Sequence, residues 1–465
     1  MSQPQQAVPP PAGTRFRADR IDGPDRAGQA TAYRQAGLRL ADHVFTVPLD
    51  HHRPDGEQIE VFAREVTAPG PTAAERPWLL YLEGGPGHPA PRPTDSQLEG
   101  GWLARAAHDY RVLLLDQRGT GRSTPLNRQT LPLVGTPRHQ AERLPFYRAD
   151  SIVRDAELIR RQLTGGRPWS VLGQSFGGFC AVTYLSLAPE GLSEVFLAGG
   201  LPGLDADAEA VYRAAYPRME RKNTAYYARY PEDEEQARAI GRYLWEHKVV
   251  LPGGILLTVE AFQSLGILLG TADGAARLHY LMEGALLSGC RGPELSDAFQ
   301  HQAQSLLSFA ARPLYAVLHE SAYAQDERPT AWAAERVRAR FPQFDAGAAL
   351  ASPHARLLFT GETIHPWHFH VDPALRPLHD TAHLLAEDAS WTPLYDKAVL
   401  AANEVPTRAV VYQDDLYVDA GDSLRTAAAI RGARTVVTGE HEHDGLAASG
   451  TAVLDLLLAP DRADG

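Results

Sequence analysis

The sequence predicts an α/β fold: a mostly parallel sheet flanked by helices, interrupted by a large and mostly helical insertion. Three observations carry this expectation. Apolar runs ending in glycine-rich loops recur through the first two hundred residues, with helix-like sequence in most of the gaps. That rhythm disappears from about residue 204 to 400 and then resumes. At 465 residues, the chain also exceeds the usual single-domain range.

The opening stretch, "MSQPQQAVPPPAG", is rich in proline and glutamine and carries neither a basic start nor an apolar run. Residues 1–30 are therefore expected to form a loose tail without secretory character, as are the last few from Pro460 to Gly465. Residues 31–203 are read as the first part of the core. Within them "HVFTVPLD", "HHRPDG" and "QIEVFAREV" give two strand candidates across a polar turn, a hairpin signature. "RPWLLYLEGGPG", "YRVLLLDQRGTGRS", "PWSVLGQSFGG" and "LSEVFLAGGLPG" each read as a buried strand running into a loop. A helix is expected over about 149–163, and another from Phe179 that stops near Pro189.

From 204 to 400, Tyr and Trp become frequent and charged helical segments appear, so this stretch is read as a helical cap. In "PEDEEQARAIGRYLWEHK", Ala237, Ile240, Leu244 and His247 recur on one helical face. Residues 401–465 are read as the second part of the core, with strands in "PTRAVVYQDDLYV" and "RTVVTGEHEHDG" and a last helix near 447–459.

Composition bounds the function. Apolar residues make up 44% and charged residues 22%, an ordinary globular balance. The formal charge of −12 and the lack of any basic run argue against a nucleic-acid partner. No apolar stretch approaches the roughly 20 residues of a membrane span, and a cytoplasmic, soluble protein is expected. Cys180 and Cys290 are the only cysteines, too few for a disulfide framework and without metal-site spacing.

The chemistry centres on "GQSFG". A serine at a strand-to-helix turn needs a strained backbone, and Gly173 and Gly177 remove the side chains that would collide there. A hydroxyl is a weak nucleophile without a base, and an acid and a histidine are expected further along in that order. Two later loops supply them: Asp414, Asp415 and Asp419 in the first, and His441, His443 and Asp444 in the second. The Phe176 N–H and the loop Gly84-Gly85-Pro86-Gly87 are candidate donors to a developing oxyanion.

"EGGPG", "DQRGTGRS", "GQSFGG" and "HDG", in this order, resemble the prolyl aminopeptidase (proline iminopeptidase) family of α/β-hydrolases. "VPLDHHRPDGEQIEVFAREV", "RKNTAYYARYP" and "TGETIHPW" are similar to its longer bacterial branch, so the likeness spans about residues 43–446. It implies the α/β-hydrolase fold with a cap, and a serine peptidase acting through an acyl-enzyme on peptides with N-terminal proline. It also implies Ser175 as nucleophile, His443 as base and Asp415 as the orienting acid, with Asp414 and His441 as rivals. Gly84, Gly85 and Phe176 would form the oxyanion hole. No cofactor or metal is implied, although "HPWHFH" groups His365, His368 and His370.

In this family, cap glutamates are associated with the substrate amine. Glu320 is the first candidate here, beside Glu283 and Glu362. One departure stands out: Glu83 occupies a position where the family often has histidine. It would be turned away, paired with a cation such as Arg118, or placed near the amine. An esterase or amide hydrolase of other acyl specificity, and a non-catalytic binding protein, are the alternatives on the same scaffold. Dehalogenase or epoxide hydrolase chemistry is disfavoured, since it places aspartate at the elbow.

Overall fold

A computed structural model describes residues 32–289 and 292–459. The sequence readings for residues 1–30, Cys290 and Pro460–Gly465 lie outside them. Among the described residues, nine strands form one sheet: β1 (Ala32–Gln35), β2 (Leu38–Pro48), β3 (Gln58–Thr67), β4 (Trp78–Leu82), β5 (Arg111–Asp116), β6 (Trp169–Gln174), β7 (Leu192–Ala198), β12 (Thr407–Tyr412) and β13 (Arg434–Thr438). The numbers between belong to two short hairpins, β8 (Val249–Val250) with β9 (Leu256–Leu257) and β10 (Leu286–Gly289) with β11 (Gly292–Leu295). The spatial order is β1-β2-β3-β5-β4-β6-β7-β12-β13.

The expected hairpin is present, with β2 antiparallel to β3 and Pro48 opposite Gln58. From β5 to β13 every neighbouring pair runs parallel. Parallel strands need crossovers, which cover both faces of the inner strands with helices, while the edge strand β13 stays largely exposed. Alternate residues accordingly serve opposite layers. Leu80, Leu82, Leu113, Leu115 and Val171 pack with helices Ala149–Thr164 and Phe176–Leu187. Leu79, Tyr81, Val112, Leu114 and Leu172 pack with helices Trp102–Asp109 and Ala452–Leu458.

Between β7 and β12 the chain builds a separate apolar cluster from Tyr212, Met219, Ile240, Phe262, Phe299 and Phe359, among others. Most of its regular elements are helices, the longest being Ala208–Arg229. Ala237, Ile240 and Leu244 are buried on helix Glu232–Glu246, as their spacing predicts. His247 departs from that face: the helix ends at Glu246, and His247 turns to extended backbone and is exposed. Cys180 is a free, buried thiol, pushed well above its ordinary pKa by burial. Among the described residues, no helix is long and apolar enough to cross a membrane.

Candidate active site

The carboxyl ends of β4, β6, β7, β12 and β13 converge, the place where open α/β sheets present their chemistry. Ser175 follows β6 with φ +54° and ψ −125°, a left-handed φ that a non-glycine residue adopts only under strain. Its carbonyl accepts the Gly178 N–H at 2.7 Å, closing the first turn of helix Phe176–Leu187. The Phe176 N–H, as the first helical donor, has no carbonyl within the helix to meet.

Several glycines make the turn possible, Gly173 among them, where a Cβ would lie 2.4 Å from the Gly177 carbonyl oxygen. A Cβ on Gly177 would lie 1.9 Å from the Leu82 carbonyl oxygen, and one on Gly84 would lie 2.9 Å from Ser175 Cβ. Gly177→Ala is expected to cost about 3 kcal/mol or more, because the obstacle is backbone and cannot yield. A thermal melt or loss of soluble protein reads this out.

β4 and β6 are in register at Leu82 and Gly173, which brings the Glu83–Gly87 loop beside Ser175. The Gln117 side chain donates to the Glu83 carbonyl at 2.9 Å and steadies that loop. The Glu83 carboxylate accepts the Gly84 N–H at 2.9 Å and the Tyr81 hydroxyl at 3.2 Å. Gly84 N–H is thereby engaged by a side chain rather than free for an oxyanion, which leaves Gly85 and Phe176 as the candidate donors. Burial lifts the Glu83 carboxyl above its ordinary pKa despite those two donors. Arg118 does not pair with it; its guanidinium instead meets Asp155, with Nε to Oδ2 at 2.7 Å.

Asp415 and His443 meet across the two later loops. His443 Nδ1 lies 2.7 Å from Asp415 Oδ2, and both residues are buried. Asp415 Oδ1 accepts the Tyr417 and Val418 N–H groups at 2.8 and 3.1 Å. A carboxylate is acceptor-only, so Nδ1 carries the proton and Nε2 is left as the acceptor. The Tyr417 ring stands edge-on to the imidazole, 4.6 Å between centroids. Gln174, directly before Ser175, donates from Nε2 to the His443 carbonyl at 3.3 Å. Burial alone would pull the imidazolium down. The charge and hydrogen bond of Asp415, with Glu362 and Asp444, outweigh it and hold His443 above its ordinary value.

The rivals lie elsewhere. Asp414 is exposed and faces Arg221 and Lys222 at 3.3 and 3.4 Å. Asp419 caps helix Ala420–Ala429 and pairs with Arg218 at 2.6 Å. His441 is only partly buried.

The three glutamates also separate. Glu320 is buried, but its carboxylate accepts the Ala333 and Ala334 N–H groups at 3.1 and 2.9 Å, a structural role at the start of helix Ala333–Arg338. Glu283 ends helix Gly274–Glu283 and is exposed. Of the three, Glu362 is the one whose charge helps to hold His443 above its ordinary pKa. The Tyr315 hydroxyl donates to its Oε1 at 2.6 Å, and the Tyr315 ring stacks on His88, just past the glycine loop, at 5.2 Å. The Glu320-first order is revised to place Glu362 first.

Several polar atoms near Glu362 are buried without a hydrogen-bond partner among the described residues, including Tyr212 Oη, His319 Nδ1 and Thr363 Oγ1. Burial, followed by Glu320, Tyr323 and Glu362, pushes the Tyr212 phenol well up. A partly open pocket borders Tyr315, Gly361 and Thr363, with Ile267, Phe309 and Trp367 in its walls.

The histidines of "HPWHFH" do not come together as ligands. His365 Nδ1 faces Glu335 at 2.8 Å, His368 Nδ1 accepts the His365 N–H at 3.0 Å, and His370 is exposed. Among the described residues, three potential ligand side chains gather at Glu232, Asp233 and His279, where Asp233 already accepts from Tyr226 and His279.

Residues 77–236 match the family described as alpha/beta hydrolase fold. The chain is 46% identical to a protein named proline iminopeptidase from Aeromonas sobria over 428 residues, covering 92% of this chain and 97% of that one. It is 36% identical to another of that name from Aspergillus aculeatus, covering 92% and 95%. A solved structure from Thermus thermophilus, titled a proline iminopeptidase-related protein, aligns over 90% of this chain and 98% of its own at 17% identity and a TM-score of 0.36.

Proposed function

We propose, from the premise that this chain belongs to the proline iminopeptidase family of α/β-hydrolases, that it is a serine aminopeptidase releasing N-terminal proline from peptides. The single observation carrying the amine specificity is Glu362, a carboxylate held by the Tyr315 hydroxyl at 2.6 Å, whose charge favours the charged form of His443. An N-terminal amine is positive around neutral pH, and a half-buried, oriented carboxylate is its natural counter-charge. The neighbouring cavity offers apolar walls for a pyrrolidine ring. In this reading, residues 204–400 act as a cap that supplies the counter-charge and closes off longer N-terminal extensions.

The steps follow from the groups at hand. Ser175 Oγ attacks the carbonyl of the first residue while His443 Nε2 takes its proton. Negative charge on the carbonyl oxygen meets the Gly85 and Phe176 N–H groups. His443 returns the proton to the departing peptide nitrogen, leaving proline esterified to Ser175. Water, activated by the same imidazole, releases it.

The test compares proline arylamide with its N-acetylated counterpart, alongside labelling by a fluorophosphonate. Free proline arylamide should be cleaved, the acetylated one should not, and label should appear on Ser175 at one per chain. Equal cleavage of both, or preferred cleavage of short acyl esters, would move the reading to an esterase. Failure to label would end the hydrolase reading.

A further inference from the structure

One turn of the long helix Ala208–Arg229 touches both halves of the site. Lys222, 8% exposed, donates from Nζ to both oxygens of Glu442 at 2.6 and 2.7 Å and lies 3.4 Å from Asp414. Glu442 immediately precedes His443, and Asp414 immediately precedes Asp415. Arg221 adds a second contact to Asp414 at 3.3 Å. A single ammonium therefore ties together the two loops whose side chains form the Asp415–His443 pair.

The next residue serves the other half. The Asn223 side chain donates to the Phe359 carbonyl at 2.7 Å and accepts the Phe359 N–H at 2.8 Å, as a strand neighbour would. Its Nδ2 also reaches the Met219 carbonyl at 2.8 Å, and one turn on, the Tyr227 hydroxyl reaches the Leu357 carbonyl at 2.5 Å. Phe359 lies three residues before Glu362, and this segment is otherwise without regular structure until Tyr315 fixes the glutamate.

We propose that Lys222 and Asn223 are positioning residues, one setting the separation of the Asp415 and His443 loops and the other setting the place of Glu362. The inference rests on the reading of the site given above. A buried ammonium held by two carboxylates contributes little net stability, because desolvation offsets the attraction, but removing it takes the cation from Glu442, next to His443, while exposed Asp414 keeps Arg221. The charged groups around His443 are Asp415, Glu362, Asp444 and the Glu442–Asp414 pair, with the Tyr417 phenol edge-on. Lys222 is the buried cation here and Arg221 the exposed one on Asp414, so loss of Lys222 leaves the imidazolium favoured and moves the acid limb of activity to higher pH.

The experiment measures fluorophosphonate inactivation rate against pH, and proline arylamide kinetics, for wild type, Lys222→Met, Lys222→Arg and Asn223→Ser. Lys222→Met should slow inactivation about tenfold or more and shift its pH midpoint upward, with Lys222→Arg restoring most of the rate. Asn223→Ser should raise KM for proline arylamide about tenfold while leaving inactivation within about twofold of wild type. Folded Lys222→Met with unchanged rate and midpoint overturns the inference, as does Asn223→Ser with unchanged KM. If wild type labels but does not cleave proline arylamide, the substrate reading fails while the Lys222 result still decides the loop role. If wild type does not label, both fall.

Discussion

Asp415→Asn is expected to lower kcat by about 10³- to 10⁴-fold with the fold intact. Asp415 Oδ1 accepts two backbone N–H groups, so the asparagine oxygen takes that place and its NH₂ turns toward His443 Nδ1. Nδ1 must then accept, which puts the imidazole proton on Nε2 and leaves it unable to take the Ser175 proton. Asp414→Asn should cost less than about tenfold, since the Asp414 carboxylate is exposed and faces cations rather than the imidazole. Equal losses in the two variants would return the choice of acid to an open question. Steady-state turnover with a thermal melt on each protein settles it.

Glu362→Gln carries the second large effect. A glutamine can still accept the Tyr315 hydroxyl, so the segment keeps its place while the charge is gone. Losing one partner of a desolvated charge pair costs roughly 2–5 kcal/mol, so kcat/KM for proline arylamide should fall by about 10²-fold, mostly through KM. A short acyl ester, which has no amine, should react nearly as before. The pH profile supplies an independent mark. Glu362, together with Asp415 and Asp444, holds His443 above its ordinary pKa against burial, so removing its charge lowers that pKa. The base must be neutral to act, so the acid limb moves to lower pH, opposite to the direction expected for Lys222→Met.

The fold was largely legible because parallel strands are apolar on both faces and end in glycine loops, a signal that survives in sequence. The elbow was legible for the same reason: Gly173, Ser175 and Gly177 mark a turn that sterics forbid to other residues. Legibility ended where adjacent residues share a loop. Asp414 and Asp415 look alike in sequence, and only the Tyr417 and Val418 N–H groups select which one faces the imidazole. The glutamates were harder still. Glu320 sits in the more apolar stretch, but the backbone amides that occupy it lie thirteen residues on, at a turn no local pattern announces. Lys222 carried a readable hint: a lysine followed by Asn223 in a helix whose neighbours are buried tyrosines, where a cation needs a partner from elsewhere. The engagement of Gly84 by Glu83 was not readable, since a side chain folding back on the next N–H leaves no trace in spacing.

In β7, Val195 pairs with Thr407, more than two hundred residues later. On the ribosome, one flank of β7 therefore waits uncovered while the whole intervening stretch is made, roughly ten to forty seconds at ordinary synthesis rates. An uncovered apolar strand is a template for another chain, which makes this interval the hazardous one in the protein's biogenesis. The same delay carries a safeguard. A partly synthesised polypeptide has its alcohol long before it has its imidazole, so the emerging chain stays inert toward its surroundings until the final two strands dock.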